Sequence, residues 1–404
     1  MFFLGEPMVP ELRRAFNSGF TTEKYRQFLA GTNRACATEI PFRISETPCF
    51  FPQSLVAKMA RYGREMVEAL MGDAAYRAAS AASIPPAFNV PNETEKPLFV
   101  QVDFGLVRDS NGEIQPKLVE LQGFPSLYGY QSAVSHEYMK AYDLPEGLKI
   151  YLGGLDASTY RETLRRAVLG DCDPENVVLM EVNPEQQKTL ADFKVTERMC
   201  NIQTVNITDI VKQGRRLFYP RHGQLVPIER IYNRCIVDEL VRTGARLPFD
   251  FSEPLDVQWA GHPNWYFHLS KFSIPFIQHP CVPKTFFLSG LSELPADRQN
   301  YLLKPLYSFA GAGIIFAPSD EQIAAIPAKQ RSQYILQEYI NFTPVIETPH
   351  GATQAEVRIM YIWLQGLLPV LMLVRMGRGK MMGVDHNRNL EWVGGSAGLM
   401  AEGI

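Results

Sequence analysis

Apolar positions recur at helical spacing early in the chain and at strand spacing further on. Leu55, Met59, Tyr62, Met66 and Leu70 fall on one face of a helix, and the first 95 residues read as mostly helical. A turn-rich stretch at 84–92, holding Pro85, Pro86 and Pro91, reads as a linker. Residues 98–104 and 117–121 then read as two strands about an Asp109-Ser110-Asn111-Gly112 turn, an antiparallel hairpin. A different unit starts near residue 151. Residues 177–182 form an apolar strand, Asn183 is placed to cap the next helix, and Pro184 suits its first turn. Leu190 and Phe193 face inward on that helix, and 202–205 is a second strand. A strand–helix–strand unit of this length predicts parallel, right-handed pairing. The span 151–250 therefore reads as a small open α/β domain in the Rossmann style. It has no G-x-G-x-x-G, so no dinucleotide site is assigned there. From about 255 onward, strands alternate with glycine-rich turns and basic residues.

The length of 404 residues suggests two to four domains at about 100–200 residues each. An apolar fraction of 46% supports a sizeable core, and 11% aromatic residues exclude a disordered chain. With 40 basic against 43 acidic residues the net charge is −3, which argues against a dedicated nucleic-acid binder or a polybasic membrane-surface protein. The densest apolar run, 367–374, is broken by Pro369 and is too short for a bilayer. No basic region precedes an apolar stretch at the N-terminus, so no secretory signal is expected. Six cysteines without C-x-x-C spacing read as reduced thiols of a cytoplasmic protein. The seven histidines form no metal-binding pair motif, and His386 reads as an exposed loop residue. Trp259, Trp265, Tyr266 and Phe267 read as core or interface, because no basic stripe accompanies them.

The chemically informative run is 301–316. A strand ends in Lys304-Pro305, a loop with Gly311 and Gly313 follows, and a second apolar strand comes next. Glycines allow close backbone approach, and loop N–H groups hold phosphate oxygens. No GK[ST] follows, so this is not a Walker A loop, and on spacing alone a plain hairpin fits equally well. Lys271 lies upstream. Downstream come Gln337-Glu338-Tyr339-Ile340, then Arg358, Arg375 and Gly394-Gly395. This ordered set resembles the ATP-grasp superfamily over roughly residues 260–404. The resemblance implies two α+β lobes that grip ATP. Lys271 and Lys304 would contact its phosphates, the loop with Ser308, Gly311 and Gly313 would fold over them, and Gln337, Glu338 and Ile340 would meet adenine or ribose.

Such a site also needs carboxylates to hold Mg²⁺ against the phosphates, because a hard cation prefers oxygen. In the family's usual order an Asp and a Glu-x-Asn follow the Gly-Gly segment, and here few residues follow Gly398. The hairpin at 98–122 offers Asp103, Glu120 and Gln122 instead. Strand alternation puts Glu120 and Gln122 on one face, with Asp103 on the partner strand. A solvated hairpin face is the plainer interpretation of these carboxylates. The set resembles the metal ligands of circularly permuted ATP-grasp ligases of the glutathionylspermidine synthetase and glutathione synthetase types. Two departures stand out: Gln122 replaces the usual Asn, and Gln101 stands where an Arg is often found. Residues 230–239 resemble the strand end that precedes the ATP-grasp core. Arg234 there fits either a place near the acceptor amine, beside 124–130, or a surface ion pair with Asp238.

The resemblance implies an α+β and α/β chain in four stretches: a helical region at 1–95, a metal-ligand hairpin segment at 96–150, a pre-ATP-grasp α/β domain at 151–250, and the ATP-grasp lobes at 251–404. It implies an ATP- and Mg²⁺-dependent carboxylate–amine ligase that works through an acyl phosphate and releases ADP and phosphate. Arg358 and Arg375 would act on phosphate or substrate carboxylate. The expected partners are ATP, a small carboxylate and an amine, with no nucleic acid and no membrane, and a homodimer contact is one use for the first 95 residues. The alternatives are a phosphotransferase or carboxylase on the same nucleotide site, and an ATP-binding scaffold or regulator without turnover.

Overall fold

The structure is a computed structural model, and it describes residues 8–244, 246–307, 313–380, 382, 387 and 389–402. Its centre is a seven-stranded mixed sheet. The order is Cys49–Pro52, Gly394–Ala401, Leu367–Gly377, Gln354–Trp363, Phe99–Arg108 and Ile114–Gln122, with Leu148–Lys149 pairing alongside Gly394–Ala401. Cys49–Pro52 runs parallel to Gly394–Ala401, and the other pairings are antiparallel. The sheet thus joins strands from the start, the second stretch and the end of the chain.

Both faces of this sheet are covered, so its middle strands are buried almost throughout. On one face Val100, Val102 and Phe104 meet Val357, Ile359 and Tyr361 in cross-strand register. They pack with Leu55, Met59, Met66 and Leu70 of the helix Gln53–Gly72, which follows the predicted helical spacing. Phe99, Met360, Ile362 and Leu371 on the other face pack with Tyr128, Val134 and Tyr138 of the helix Tyr128–Ala141, and with Tyr160 and Leu164 of Ala157–Leu169. Further along that second face the alternation delivers polar residues instead: Gln101, Asp103, Glu356, Arg358 and Arg375.

The hairpin forms as the sequence predicts, with one irregularity. Asp103 faces Glu120, but Phe104 faces Leu118, so Val119 is a bulge. The extra residue lets Leu118 and Leu121 both enter the core while Glu120 and Gln122 face the polar side.

A four-stranded parallel sheet, ordered Gln258–Ala260, Arg230–Asn233, Val177–Glu181 and Gln203–Asn206, forms the α/β unit. The expected role of Asn183 needs correction. It adopts a left-handed conformation before the short turn Pro184–Gln186, and its side chain caps nothing. The helix starts later, at Leu190–Cys200, after the short 3₁₀ turn that Pro184 opens. The predicted linker at 84–92 is packed at both ends, since Ile84 and Val90 are buried and the Val90 N–H donates to Asn264 Oδ1 at 2.9 Å. A second antiparallel sheet, Thr285–Phe287, Tyr334–Glu338, Tyr301–Pro305 and Ile315–Phe316, stands over the polar side of the central sheet.

Candidate functional site

A cavity of about 460 Å³ lies where the central sheet, the α/β unit and the small antiparallel sheet meet. Each contributes side chains for a local reason. On the central sheet, period-two alternation and cross-strand register build a polar grid: Glu120 opposite Asp103, Asp103 opposite Arg358, and Glu356 opposite Arg375. Asp103 is buried at its centre. It accepts two bonds from Arg358, Nε and Nη2, each at 2.6 Å, and one from Arg375 Nη1 at 3.1 Å. Burial alone would raise the Asp103 pKa, but the two guanidinium groups outweigh it and hold the carboxyl below its ordinary value. Gln101 Oε1 accepts a third bond from Arg358, at 2.8 Å. A glutamine where an arginine was expected thus becomes an acceptor for an arginine on the next strand.

Asp103 does not line the cavity; it stands behind the arginines and aims them. Glu120, Gln122, Glu356, Arg358 and Arg375 do line it. Gln122 donates its amide to Glu120, and Lys271 Nζ lies 3.9 Å from Glu120 Oε2. Glu356 pairs with Arg375, yet burial outweighs that partner and raises its pKa, with the Asp103 and Glu120 charges adding to the rise. The three expected metal ligands are therefore neighbours with different surroundings. Glu120 and Gln122 open to the cavity, and Asp103 is engaged by two arginines. Among the described residues no group of three or more His, Cys, Asp or Glu converges as a ligand cluster. Magnesium commonly needs only one or two protein carboxylates, with phosphates and water completing the octahedron. Glu120 and Glu356, with the Gln122 carbonyl, fit that requirement.

The small sheet supplies the other wall. Tyr301–Pro305 pairs with Tyr334–Glu338, so Lys304 and Gln337 sit on adjacent strands. Lys304 donates to Gln337 Oε1, while Gln337 Nε2 is buried with no partner. Burial pushes the Lys304 pKa down to about 8, Glu120 opposes that shift, and Lys271 adds to it. A buried ammonium and an orphaned amide donor on one wall suit an anionic, acceptor-rich ligand. Leu302, Phe316, Glu338, Tyr339 and Ile340 continue the wall. Gly313 holds φ +74°, and a Cβ there would come within 2.9 Å of the Pro305 ring. The expected contacts of Ser308 and Gly311 lie outside the described residues.

Phe42, Phe124, Ser126, Leu127, Lys188 and Thr189 also line the cavity. Gln101 Nε2 donates to the Ser126 carbonyl at 2.6 Å, tying this loop to the central grid. Arg234 is buried behind Phe124, with its guanidinium 5.7 Å from that ring, and pairs with Asp192. The surface ion pair is corrected, because Arg234 is buried and pairs with Asp192; it stands beside Phe124, as the other option has it, without lining the cavity itself. Sequence reasoning missed Phe42, Asp192, Lys188 and Glu356. Of these only Glu356 had a local signal, since it stands two residues before Arg358 on one strand face.

The six cysteines are unpaired, as expected for thiols, and five of them are buried. Trp259, Trp265 and Phe267 are buried. Among the described residues no helix is long and apolar enough to cross a membrane.

No family model matches the sequence, and no curated protein matches it. A solved structure does match: a glutathione synthetase like-effector from Globodera pallida, in apo form. The match covers 97% of this chain and 99% of that one, with a TM-score of 0.60 and 11% identity. At that identity the likeness is one of fold, and this chain has a mixed α/β, glutathione synthetase-like architecture.

Proposed function

We propose that this protein is an ATP- and Mg²⁺-dependent carboxylate–amine ligase of the circularly permuted ATP-grasp type. One observation carries the reading. A single cavity gathers Lys271, Lys304 and Gln337–Ile340 with Glu120, Arg358 and Arg375, from segments far apart in the chain. The pairing of the hairpin strand Phe99–Arg108 with Gln354–Trp363 supports the permutation, because it returns the early carboxylates to the late strands.

In this reading Lys271 and Lys304 offset phosphate charge, and Gln337 Nε2 donates to the nucleotide. Arg358 and Arg375, held in fixed orientation by Asp103, stabilise charge on the transferred phosphoryl group. Bound Mg²⁺, held by Glu120, Glu356 and the Gln122 carbonyl, would neutralise phosphate charge. The substrate carboxylate oxygen attacks the γ-phosphorus, ADP leaves, an amine displaces phosphate from the acyl group, and the nitrogen loses its proton. The chain supplies positioning and electrostatics, not a nucleophile.

The test is the thermal midpoint with and without Mg²⁺ and a non-hydrolysable ATP analogue, for wild type and Glu120→Ala. A ligand that binds only the folded state raises the midpoint by mass action. A Mg²⁺-dependent rise that Glu120→Ala removes is the expected result. No rise at millimolar nucleotide would eliminate the reading. A second reading, a nucleotide binder without turnover, is favoured by one feature: Asp103 is fully engaged by arginines and leaves fewer carboxylates for metal. A rise indifferent to Mg²⁺ and to Glu120→Ala, with no ADP release, would select it.

A further inference from the structure

Tyr266, Leu269, Ser270 and Lys271 line the cavity, and the backbone beside them is held by the first stretch of the chain. The His268 carbonyl accepts from the Tyr76 hydroxyl at 2.5 Å and from Ser273 Oγ at 2.9 Å. Tyr76 lies on the helix Ala74–Ala82. Ser273 closes a capping box with Ser270, from which the 3₁₀ turn Lys271–Phe276 starts. Lys271 is therefore the first residue of a turn whose entry is pinned. The same entry is tied to the hairpin. The Gly123 N–H donates to the Leu269 carbonyl at 2.9 Å, and a Cβ at Gly123 would come within 2.4 Å of the Trp265 carbonyl oxygen.

The His268 side chain extends this hold. Its Nε2 lies 3.0 Å from Glu93 Oε2, and its Nδ1 lies 2.7 Å from Ser80 Oγ on the helix that carries Tyr76. Burial alone would raise the Glu93 pKa, but bonds from His268 and Asn264 hold it below its ordinary value. An ionised carboxylate only accepts, so Nε2 carries a proton and the ring has one orientation. Asn264 Nδ2 donates to the same Glu93 oxygen at 2.7 Å, and the Trp265 indole N–H donates to Thr94 Oγ1 at 3.0 Å. Ser80, Asn264 and His268 are buried. The stretch 84–92 that reads as a linker thus leads into a strap, which Glu93 and Thr94 fasten to the segment ahead of Lys271. A satisfied buried network specifies one arrangement, and loss of one member leaves the others unpaired. Glu93, His268 and Ser80 do not themselves line the cavity.

We propose that Glu93, His268 and Ser80 are positioning residues for Lys271 and set where its ammonium stands in the cavity. That Lys271 meets a nucleotide rests on the ligase reading; that its position is set in this way does not. The test uses the full chain and has two readouts. In the first, lysines are acetylated with limiting reagent, and Lys271 and Lys304 are followed by mass spectrometry. Glu93→Ala should raise the Lys271 rate by about threefold or more and leave Lys304, on the other sheet, unchanged. Glu93→Gln, which keeps an acceptor for His268 and Asn264, should stay near wild type. The second readout is affinity for the ATP analogue with Mg²⁺. Glu93→Ala should lower it about tenfold, because small misplacements of a binding group are costly. In a Lys271→Met background the same change should have no further effect, since nothing is left to position. Ser80→Ala, at the far end of the network, decides in the same way should Glu93→Ala not fold. An unchanged Lys271 rate, equal rises at both lysines, or a loss of affinity that persists in Lys271→Met overturns the inference. If labelling behaves as expected while the analogue binds no variant, wild type included, the ligase reading falls and this inference stands. If the analogue binds and the Lys271 rate is unchanged, the reverse holds.

Discussion

Two buried aspartates, each paired with arginine, do opposite work. Asp192 is enclosed: its partner Arg234 is 2% exposed, and its remaining acceptor capacity goes to the N–H groups of Leu127, Gly129 and Tyr130. It fixes backbone, supplying from another helix the acceptor that the Tyr128–Ala141 N-terminus lacks locally. Asp103 is equally buried, but its partners Arg358 and Arg375 reach the cavity. Arg375 keeps a 22% exposed side chain and a second carboxylate in Glu356. The same ion pair is a structural clamp where both partners are sealed, and an aiming device where the arginine ends face a pocket.

The largest expected effect separates these roles. Asp192→Asn leaves Arg234 charged, buried and unmatched, which should cost about 3–5 kcal/mol in urea unfolding. Its effect on nucleotide affinity should be small once the protein is folded. Asp103→Asn should cost less, about 1–3 kcal/mol, because Arg375 retains Glu356 and Arg358 retains Gln101. That deficit should shrink when the ATP analogue is present, since phosphate supplies the missing negative charge. Equal costs in both variants, unaffected by nucleotide, would erase the distinction.

Lys304 gives a smaller effect of known sign. Its folded pKa of about 8 lies below the ordinary 10.5 because of burial. Between these values the unfolded chain holds a proton that the folded chain has released, so stability from this group rises with pH across about 8 to 10.5. Below pH 8 the buried charge is a full cost of about 3 kcal/mol without ligand. Lys304→Met removes that cost but leaves Gln337 Oε1 unpaired, returning about 1 kcal/mol. The variant should therefore be about 2 kcal/mol more stable than wild type at pH 7. It should lose the alkaline rise and lose nucleotide stabilisation. A less stable variant at pH 7 would mean that Lys304 is a structural residue.

The sequence made parts of this legible and hid others, for identifiable reasons. The helix Gln53–Gly72 and the hairpin were readable because one element's periodicity suffices to predict them. Glu120 and Gln122 were readable as a same-face pair for that reason. The pairing of Asp103 with Arg358 was not, because those residues are 255 positions apart and depend on strand order, which local pattern does not encode. Asp192 was hidden for the same reason: it sits on an ordinary helix, and its role comes from a loop more than 60 residues earlier in the chain. The bulge at Val119 was also unreadable, since the spacing of Leu118 and Leu121 carries no signal until the partner strand fixes the register.

The smallest effect concerns two orphaned polar atoms, one in each region. Thr196 Oγ1 is buried beside Asp192 and has no hydrogen-bond partner, and Gln337 Nε2 is buried in the cavity wall in the same condition. If the enclosed region is purely structural, the Thr196 hydroxyl is a plain cost. Thr196→Val, which keeps the shape, should then be neutral or stabilising by up to about 1 kcal/mol, with nucleotide affinity unchanged. Gln337→Leu also removes an orphan, and on stability alone it should be similarly mild. On the proposed function it differs in the ligand response, because Nε2 is a buried donor without a partner, and a nucleotide would bring it an acceptor. The analogue-induced rise should fall in Gln337→Leu and stay intact in Thr196→Val, as read from paired melting curves. Equal responses in the two variants would mean that the Gln337 amide has no part in binding, and would shift the nucleotide contact to Lys304 and the Glu338–Ile340 backbone.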